Sequence, residues 1–279
     1  MRPSSRTVPV LMYHHISPVD GMITTSPVNF ELQLAWLARH GYRALSSVEF
    51  AAHVDGRPAP SRSVLITFDD GYLDNWVYAY PLLRKYGFSA MVFLITSRIG
   101  EGPARSHLGQ DKLPETPSHR DCTRRIEEGD ADSVMLRWSE VRAMRDAGTI
   151  EFHSHTHTHT RWDESAQAND KNRLMARELS DSRAALMAQM GGVSAHLCWP
   201  QGYFDAEYVA LARQAGFRYL YTTRAFGQNR PGGDPSSIYR FAVRNTAGAG
   251  LGRRVRIAAH PLLGPLFNRW KRWTHARRR

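Results

Sequence analysis

Short apolar runs alternate with amphipathic stretches along most of the chain. Seven runs rich in β-branched and aromatic residues predict strands, at Val8–His14, Val64–Asp70, Ala90–Thr96, Thr149–His155, His196–Gly202, Tyr219–Thr223 and Tyr239–Val243. The intervening stretches have apolar residues at helical spacing and predict helices, at Phe30–His40, Trp76–Tyr86, Ser139–Ala147, Lys171–Met190 and Ala206–Ala215. Glycine follows three of them, at Gly41, Gly87 and Gly216, and predicts left-handed C-caps. Strands that alternate with helices indicate an α/β fold with a parallel sheet or barrel.

One segment breaks this alternation. Residues 100–134 are polar, rich in charge, glycine and proline, and show no clear period, which predicts an inserted loop over one face and a candidate substrate loop. Polar clusters instead follow four predicted strands, at His14-His15, Asp69-Asp70, His153 to His159 and Pro200-Gln201-Gly202. In parallel α/β folds the C-terminal edge of the sheet carries the active site, so we expect the functional site at that edge.

The chain has a net charge of +11, but this charge is concentrated towards its C-terminal end. From Pro235 onward there is no Asp or Glu and there are eleven basic residues, Arg240, Arg244, Arg253, Arg254, Arg256, Arg269, Lys271, Arg272, Arg277, Arg278 and Arg279. The other 26 basic residues balance 26 acidic ones, so the body is neutral. A nucleic-acid-binding body would spread basic residues over a docking face, which argues against nucleic acid as a partner. The basic tail instead predicts contact with an anionic partner.

The length and composition allow one large α/β barrel or two small domains, since 279 residues contain 42% hydrophobic positions. We predict a single barrel over residues 1–250 and a basic, aromatic tail over residues 251–279. The apolar run Val8–Tyr13 is too short for a signal-peptide core, and no run has the length of a membrane span. Cys122 and Cys198 form neither a CxxC motif nor a disulfide framework. These features predict a cytoplasmic protein.

The first polar cluster is Thr67-Phe68-Asp69-Asp70-Gly71-Tyr72. Two adjacent carboxylates at a strand end cannot both point the same way, so one can bind a cation while the other faces a bound water. The alternative interpretation is an Asx turn or a helix cap, because Asp-Asp-Gly is a common turn sequence.

The second cluster contains four histidines within seven residues, at His153, His155, His157 and His159. Histidines four residues apart on a turn can share one face and bind one divalent ion. Two pairs have this spacing, His153 with His157 and His155 with His159. Two imidazoles and one carboxylate leave an open coordination position, as catalytic zinc requires. The alternative interpretation is a histidine patch on the surface.

A third cluster, Trp199-Pro200-Gln201-Gly202, is by itself only a tight turn that can direct a backbone N–H toward a pocket. Together, however, the three clusters resemble polysaccharide deacetylases with a NodB homology domain, which form carbohydrate esterase family 4. The segments Val10–His15 and Pro81–Gly87 resemble the branch with the bacterial poly-N-acetylglucosamine deacetylases. The resemblance covers residues 8 to 245 and implies a distorted (β/α)7 barrel.

The resemblance also implies roles for individual residues. Asp70, His155 and His159 would bind one divalent metal, and Asp69 would be the general base. The backbone N–H of Gln201 would lie in the oxyanion hole, and His14 would be the general acid, with His15 as the alternative. The arginine that orients the base in many members is replaced here by Cys198, and we predict that Arg240 substitutes for it. Zinc suits the ligand types, while nickel, cobalt and iron accept the same set.

These roles predict hydrolysis of the acetamido group of an N-acetylhexosamine in a polysaccharide, a lipopolysaccharide or a lipid-linked precursor, with release of acetate. Four aromatic residues are candidates for sugar binding: Tyr72, Trp138, Trp199 and Tyr203. The alternatives are a hydrolase of non-sugar amides or imides on the same fold, and an inactive carbohydrate-binding protein. A base beside a full ligand set argues against the second alternative, because binding alone needs no base.

The C-terminal tail has an amphipathic pattern. Apolar residues at positions 262, 263, 266, 267, 270 and 273 follow helical spacing, while Arg269, Lys271 and Arg272 lie off that stripe. Such a helix can lie in the headgroup region of an anionic leaflet, which predicts peripheral contact with the inner face of the cytoplasmic membrane and its lipid-linked glycans. The alternative is a helix that packs against the barrel with its arginines solvated.

Overall fold

In the computed structural model, which describes residues 4–165 and 167–276, the core is a parallel sheet. Its seven main strands are β1 (Val10–Tyr13), β2 (Ser63–Phe68), β3 (Ala90–Leu94), β4 (Ile150–Ser154), β5 (His196–Cys198), β6 (Tyr219–Tyr221) and β7 (Phe241–Ala242). They pair in the order β6-β5-β4-β3-β2-β1-β7, and a short strand, Arg43–Ala44, also pairs with β2. Each predicted strand region overlaps one of these strands, and only β2 begins earlier than predicted, by one residue.

The last strand region connects the two ends of this sheet. Ile238 forms a parallel bridge with Tyr221 of β6, while β7 pairs with Leu11 and Met12 of β1. The distorted (β/α)7 barrel that the sequence resemblance implied is therefore confirmed. Two small strand pairs lie outside it: Ser4–Ser5 with Ala59–Pro60, and His15–Ile16 with Thr24–Thr25.

Helices follow most strands and cover the sheet. They are α1 (Pro27–Arg39), α2 (Ser47–Val54), α3 (Tyr80–Tyr86), α4 (His119–Glu127), α5 (Trp138–Asp146), α6 (Lys171–Met190), α7 (Ala206–Gln214), α8 (Gly248–Ala259) and α9 (Leu263–Ala276). All five helices predicted within the barrel are present. The three predicted C-cap glycines, Gly41, Gly87 and Gly216, have φ angles of 66°, 68° and 86°. None of the helices described here is both long and apolar enough to span a membrane.

The inserted segment is more ordered than the sequence predicted. Residues 100–134 contain α4, so the expectation of a loop throughout is wrong. The Ser118 hydroxyl caps this helix by accepting a hydrogen bond from the Asp121 N–H. Only Cys122 of α4 is fully buried, so the helix has almost no apolar stripe and its period could not be detected. The sequence also gave no sign of α2 or of the π-helical turn Asn75–Ala79 before α3.

The first C-terminal helix, α8, packs closely against α1 at two glycines. A Cβ added to Gly252 of α8 would lie 2.2 Å from Cζ2 of Trp36 in α1, and one on Gly248 would lie 2.3 Å from the Leu32 carbonyl oxygen. Because the domain boundary predicted at residue 250 falls inside α8, the barrel and the tail share this helix. The predicted cations Arg277, Arg278 and Arg279 lie outside the described residues.

Replacing Gly252 with Ala should destabilise the fold. The Trp36 ring is stacked on His40, with 3.9 Å between the ring centroids, so moving it away from a new Cβ would break this contact. Overpacking should outweigh the gain in helix propensity and lower the free energy of unfolding by about 1–2 kcal/mol in urea titrations. Gly192→Ala is the matched control, because its Cβ would meet no atom within 4 Å. Equal effects of the two substitutions would contradict close packing between α1 and α8.

Candidate active site

The two adjacent aspartates lie where β2 ends and the chain turns sharply. The Asp69 N–H donates to the Tyr13 carbonyl oxygen at 3.0 Å, which extends the pairing of β2 with β1 by one residue. Asp70 then adopts a left-handed conformation with φ of 74°, and Gly71 follows with φ of 85°. A Cβ on Gly71 would lie 2.7 Å from Cδ2 of Leu94, so the turn requires glycine. As a result the two carboxylates face different partners.

The Asp70 carboxylate faces two histidines from the loop after β4. Its Oδ1 lies 3.4 Å from Nε2 of His155 and 3.7 Å from Nε2 of His159. His155 is held by its other ring nitrogen, Nδ1, which donates to the Cys198 carbonyl oxygen at 2.8 Å. The ligand atoms of the three residues all lie within 4.8 Å of one another. A tetrahedral ion with bonds of about 2.1 Å would separate its ligand atoms by about 3.4 Å, so this group fits a zinc-like ion.

The alternative pair, His153 and His157, does not converge. His153 is buried, with Nδ1 2.5 Å from Oγ of Ser194, and burial lowers its pKa well below the usual value. His157 Nδ1 instead contacts Oγ1 of Thr96 at 3.0 Å. Of the two registers that the spacing allowed, the structure assembles only His155 with His159 among the described residues.

The protonation states differ between these groups. Burial lowers the pKa of His159 to about 4, so this imidazole is neutral near pH 7 and can act as a ligand. Burial raises the pKa of Asp70, but the hydrogen bond from His155 and the electrostatic influence of the nearby histidines outweigh it and hold the pKa well below its usual value. Asp70 is therefore ionised, as a metal ligand must be.

The Asp69 carboxylate is held by a buried arginine. Arg240 Nη1 donates to Oδ1 of Asp69 at 2.6 Å, and Nη2 donates to Oδ2 at 2.8 Å. The same guanidinium contacts Sγ of Cys198 at 2.9 Å and donates through Nε to the Thr222 carbonyl oxygen. Burial raises the pKa of Asp69, but the charge and hydrogen bonds of Arg240 outweigh it and lower the pKa. Arg240 thus contacts Asp69, as predicted from the sequence, and its role in orienting a base stays a prediction.

A second group of ligand-type atoms, from Asp69, His155 and Cys198, also lies close together. It is a poorer cation site, because the Arg240 guanidinium already binds both Asp69 oxygens and contacts the sulfur. A cation there would be repelled by this charge. The arrangement therefore favours the Asp70 group as the metal site.

The two N-terminal histidines face opposite sides, as expected for adjacent residues of an extended chain. His14 Nε2 lies 3.8 Å from Oδ2 of Asp69, whereas His15 is fully buried with Nδ1 2.6 Å from Oδ2 of Asp74. His15 Nε2 lies 3.1 Å from Nδ1 of His119 in α4. The structure thus places His14, and not the alternative His15, beside Asp69, the predicted base. The sequence did not predict these hydrogen bonds from Asp74 through His15 to His119, which connect the inserted segment to the barrel.

Gln201 lies in the turn after β5 and also has a left-handed backbone, with φ of 52°. A Cβ on the following Gly202 would lie 2.1 Å from Oγ1 of Thr223, so this turn also requires glycine. Among the hydrogen bonds of the described residues, none is donated by the Gln201 backbone N–H. This donor is therefore available to an external acceptor, as the predicted oxyanion role requires.

Comparison with known proteins agrees with this geometry. The family model for polysaccharide deacetylase matches residues 56–220, more than half of the chain. The chain belongs to the polysaccharide deacetylase family. This confirms the resemblance drawn from the three motif clusters.

Two relatives and one solved structure illustrate the likeness. YxkH of Bacillus subtilis (strain 168), which carries the name of a polysaccharide deacetylase, is 39% identical over 113 residues, covering 40% of this chain and 39% of that protein. The poly-beta-1,6-N-acetyl-D-glucosamine N-deacetylase of Staphylococcus aureus (strain MSSA476) is 26% identical over 205 residues, covering 70% of this chain and 60% of that protein. IcaB from Ammonifex degensii superposes with a TM-score of 0.71 at 23% identity, covering 92% of this chain and all of that one. The chain therefore matches less than two thirds of the length of these two relatives, and the solved structure shows a shared fold.

Three of the predicted sugar-binding aromatics are not accessible in this polysaccharide deacetylase family member. Trp199 is fully buried beside Phe204, and Trp138 is 4% exposed in the main core. Tyr72 is 3% exposed and stacks on the His15 ring, with 3.8 Å between the centroids. Since buried rings cannot contact a sugar, the prediction is wrong for these three. Tyr203 is partly exposed beneath the guanidinium of Arg161 and stays a prediction.

Sequence reasoning also missed a carboxylate that shapes the histidine loop. Glu178 of α6 is 4% exposed, and its Oε2 accepts hydrogen bonds from the backbone N–H groups of His157 and Thr158, at 2.9 and 2.7 Å. Its Oε1 accepts from the Thr158 hydroxyl at 2.6 Å. Its position in the sequence could have revealed it, because Glu178 lies on the buried stripe of α6 with Met175 and Leu179. A charged residue on an apolar stripe indicates a buried partner.

Removing this carboxylate should loosen the loop. Glu178→Ala leaves two backbone donors without an acceptor, at a cost of about 1–3 kcal/mol each. We therefore expect faster amide hydrogen exchange at residues 155–160, measured by mass spectrometry, with little change elsewhere in the barrel. Glu178→Gln keeps an acceptor oxygen and is the matched control, expected to exchange nearly as slowly as the wild type. Equal exchange in the two variants would contradict this role.

Proposed function

We propose that this chain is a metal-dependent N-deacetylase that hydrolyses the acetamido group of an N-acetylhexosamine in a glycan or lipid-linked glycan. The observation that carries the proposal is that two neighbouring aspartates face different partners. Asp70 faces His155 and His159, while Asp69 is directed away by Arg240 and lies beside His14. A binding protein has no need of a second, separately oriented carboxylate at such a site.

Asp70, His155 and His159 would hold one divalent metal. Two imidazoles and a carboxylate favour zinc, and nickel, cobalt and iron accept the same donors. When bound, such an ion lowers the pKa of a coordinated water and polarises the amide carbonyl group. The hydrogen bond from His155 Nδ1 to the Cys198 carbonyl oxygen would keep a proton on Nδ1, so a bound ion would replace the Nε2 proton that faces Asp70.

The chain supplies the remaining chemistry from groups around the metal site. Asp69, kept ionised by Arg240, accepts a proton from the attacking water. The free N–H of Gln201 stabilises the negative charge that develops on the carbonyl oxygen, a contribution of about 3 kcal/mol for such a donor. His14 protonates the departing amine, which is a poor leaving group without a proton. Burial lowers the pKa of His14, so its protonated form is a stronger acid than an exposed histidine.

The substrate class is inferred from the relatives and from one accessible aromatic side chain. The Staphylococcus aureus relative is named for poly-beta-1,6-N-acetyl-D-glucosamine. We propose an N-acetylhexosamine substrate on this basis, with Tyr203 as the ring that contacts the sugar. Tyr203 directly follows the Gln201-Gly202 turn, so a sugar at this ring would lie near the oxyanion donor.

We predict one divalent ion per chain. Replacing Asp70, His155 or His159 with Ala should each lower the metal content of the purified protein, measured by elemental analysis. The double variant His153→Ala/His157→Ala is the control and should retain the ion, because these histidines bind Ser194 and Thr96 instead. Loss of metal in the control together with its retention in His155→Ala would show that the other pair binds it.

A second prediction separates chemistry from metal binding. Asp69→Asn is nearly isosteric, so it should keep the metal yet lose acetate release from N-acetylglucosamine oligomers by a factor of about 100 or more. His14→Ala should retain the metal and also lose activity. Asp181→Asn, an exposed carboxylate on α6, is the control and should behave as the wild type. Near-normal turnover by Asp69→Asn would rule out the proposed base, and no acetate release by the wild type would count against the sugar substrate.

A further inference from the structure

The C-terminal helix α9 has two faces of different character. Its inner face contacts the barrel: Asn268 is 3% exposed and donates to the Gly227 carbonyl oxygen at 3.0 Å. Phe267 packs edge-on against Phe226, and the Arg254 guanidinium lies 5.0 Å from the centre of the Phe267 ring. The helix is therefore docked in a defined orientation, and its other face is directed outward.

That outer face is apolar. Leu263 is 53% exposed, Leu266 is 65% exposed, and Trp270 and Trp273 are 53% and 51% exposed. Their spacing places them in one row along the helix, and Leu262, 71% exposed, extends the row at its start. Single exposed apolar residues are ordinary, but a continuous row of leucine and tryptophan marks a contact surface. We call Leu262, Leu263, Leu266, Trp270 and Trp273 the outer row.

Cations lie beside the outer row. Arg253 of α8, which lines one groove with Trp270, and Arg269 and Arg272 of α9 are exposed, and within the described residues none of them pairs with a carboxylate. The sequence supplies no acidic residue from Pro235 onward. These charges are therefore not neutralised by their own surroundings.

A groove beside the outer row combines the same two properties. It has a volume of about 660 Å³ and lies between α8, α9 and the end of the sheet. Phe241, Ile257 and Trp270 contribute its apolar surface, while Arg244, Arg253 and Lys271 contribute cations. An apolar slot with a cationic rim suits a molecule that carries an anionic head and a hydrocarbon chain.

We propose that α8 and α9 dock this protein on an anionic lipid bilayer, with the outer row inserted at the boundary of headgroups and acyl chains. Leucine and tryptophan on one side of a helix and cations around them are the features of helices that lie in this interface. A second copy of the chain fits less well, because a symmetric contact would bring two cationic surfaces together. Nucleic acid would match the cations but would leave the leucines without an apolar partner.

The test is co-sedimentation of the full-length protein with phosphatidylcholine vesicles that contain or lack phosphatidylglycerol, and it requires no turnover. We expect binding only to the anionic vesicles and weaker binding at high salt. Arg253→Gln/Arg269→Gln should lower the partition coefficient about 30-fold, because each cation near an anionic surface contributes a factor of about five. Leu266→Gln/Trp270→Gln should lower it about 10-fold or more.

Two matched control variants replace exposed cations or exposed apolar residues with Gln outside α8 and α9. Arg57→Gln/Arg213→Gln removes two exposed cations, and Val48→Gln/Met187→Gln removes two exposed apolar side chains. Both should bind vesicles as the wild type does. Wild-type binding by Leu266→Gln/Trp270→Gln, or equal binding to vesicles without phosphatidylglycerol, would overturn the proposal. So would a wild-type dimer in sedimentation velocity that this variant abolishes, because the outer row would then be covered by a second copy.

Discussion

The site depends on the buried ion pair between Asp69 and Arg240. These residues are 171 positions apart, and they meet because residues 238–242 close the barrel between β6 and β1. A buried charge that loses its partner costs about 3–5 kcal/mol, so each of the two residues requires the other. The contact that orients the carboxylate beside the candidate metal site therefore also reinforces the closure of the barrel.

Backbone strain is concentrated at the same edge of the sheet. Four residues of the site have left-handed conformations although they are not glycine: Asp70, Thr156, His159 and Gln201. Each costs about 1–2 kcal/mol, so the surrounding structure must hold it. Hydrogen bonds to Glu178 hold the histidine loop, and the close approach of Gly202 to Thr223 holds the Gln201 turn. These left-handed conformations thus include two of the candidate metal ligands, Asp70 and His159, and the candidate oxyanion donor Gln201.

The sequence predicted the sheet because strand patterns are local, whereas the histidine spacing left two pairs open and the family resemblance selected His155 with His159. β-branched runs produced all seven strands, and the spacing of His155 and His159 allowed their pairing. What it could not predict depends on contacts between distant residues. The sequence around Trp138 and Trp199 is consistent both with a core position and with a sugar contact. Only the packing of the folded chain shows that both are buried. Glu178 and the hydrogen bonds that link Asp74, His15 and His119 were not predicted for the same reason, because the partners are distant in the sequence.

The charge of this chain is separated from its chemistry. The body is neutral by composition, and the proposed N-acetylhexosamine group is uncharged, so long-range attraction would not bring such a group to the barrel. The cations of α8 and α9 act only over about 8–10 Å at ordinary salt, so they affect only what touches that end of the molecule. Close packing of Gly248 and Gly252 against α1 attaches α8, and Asn268 and Phe267 attach α9, both without acidic partners. Because no carboxylate takes part in these contacts, the exposed cations of the two helices stay available to an anion outside the protein.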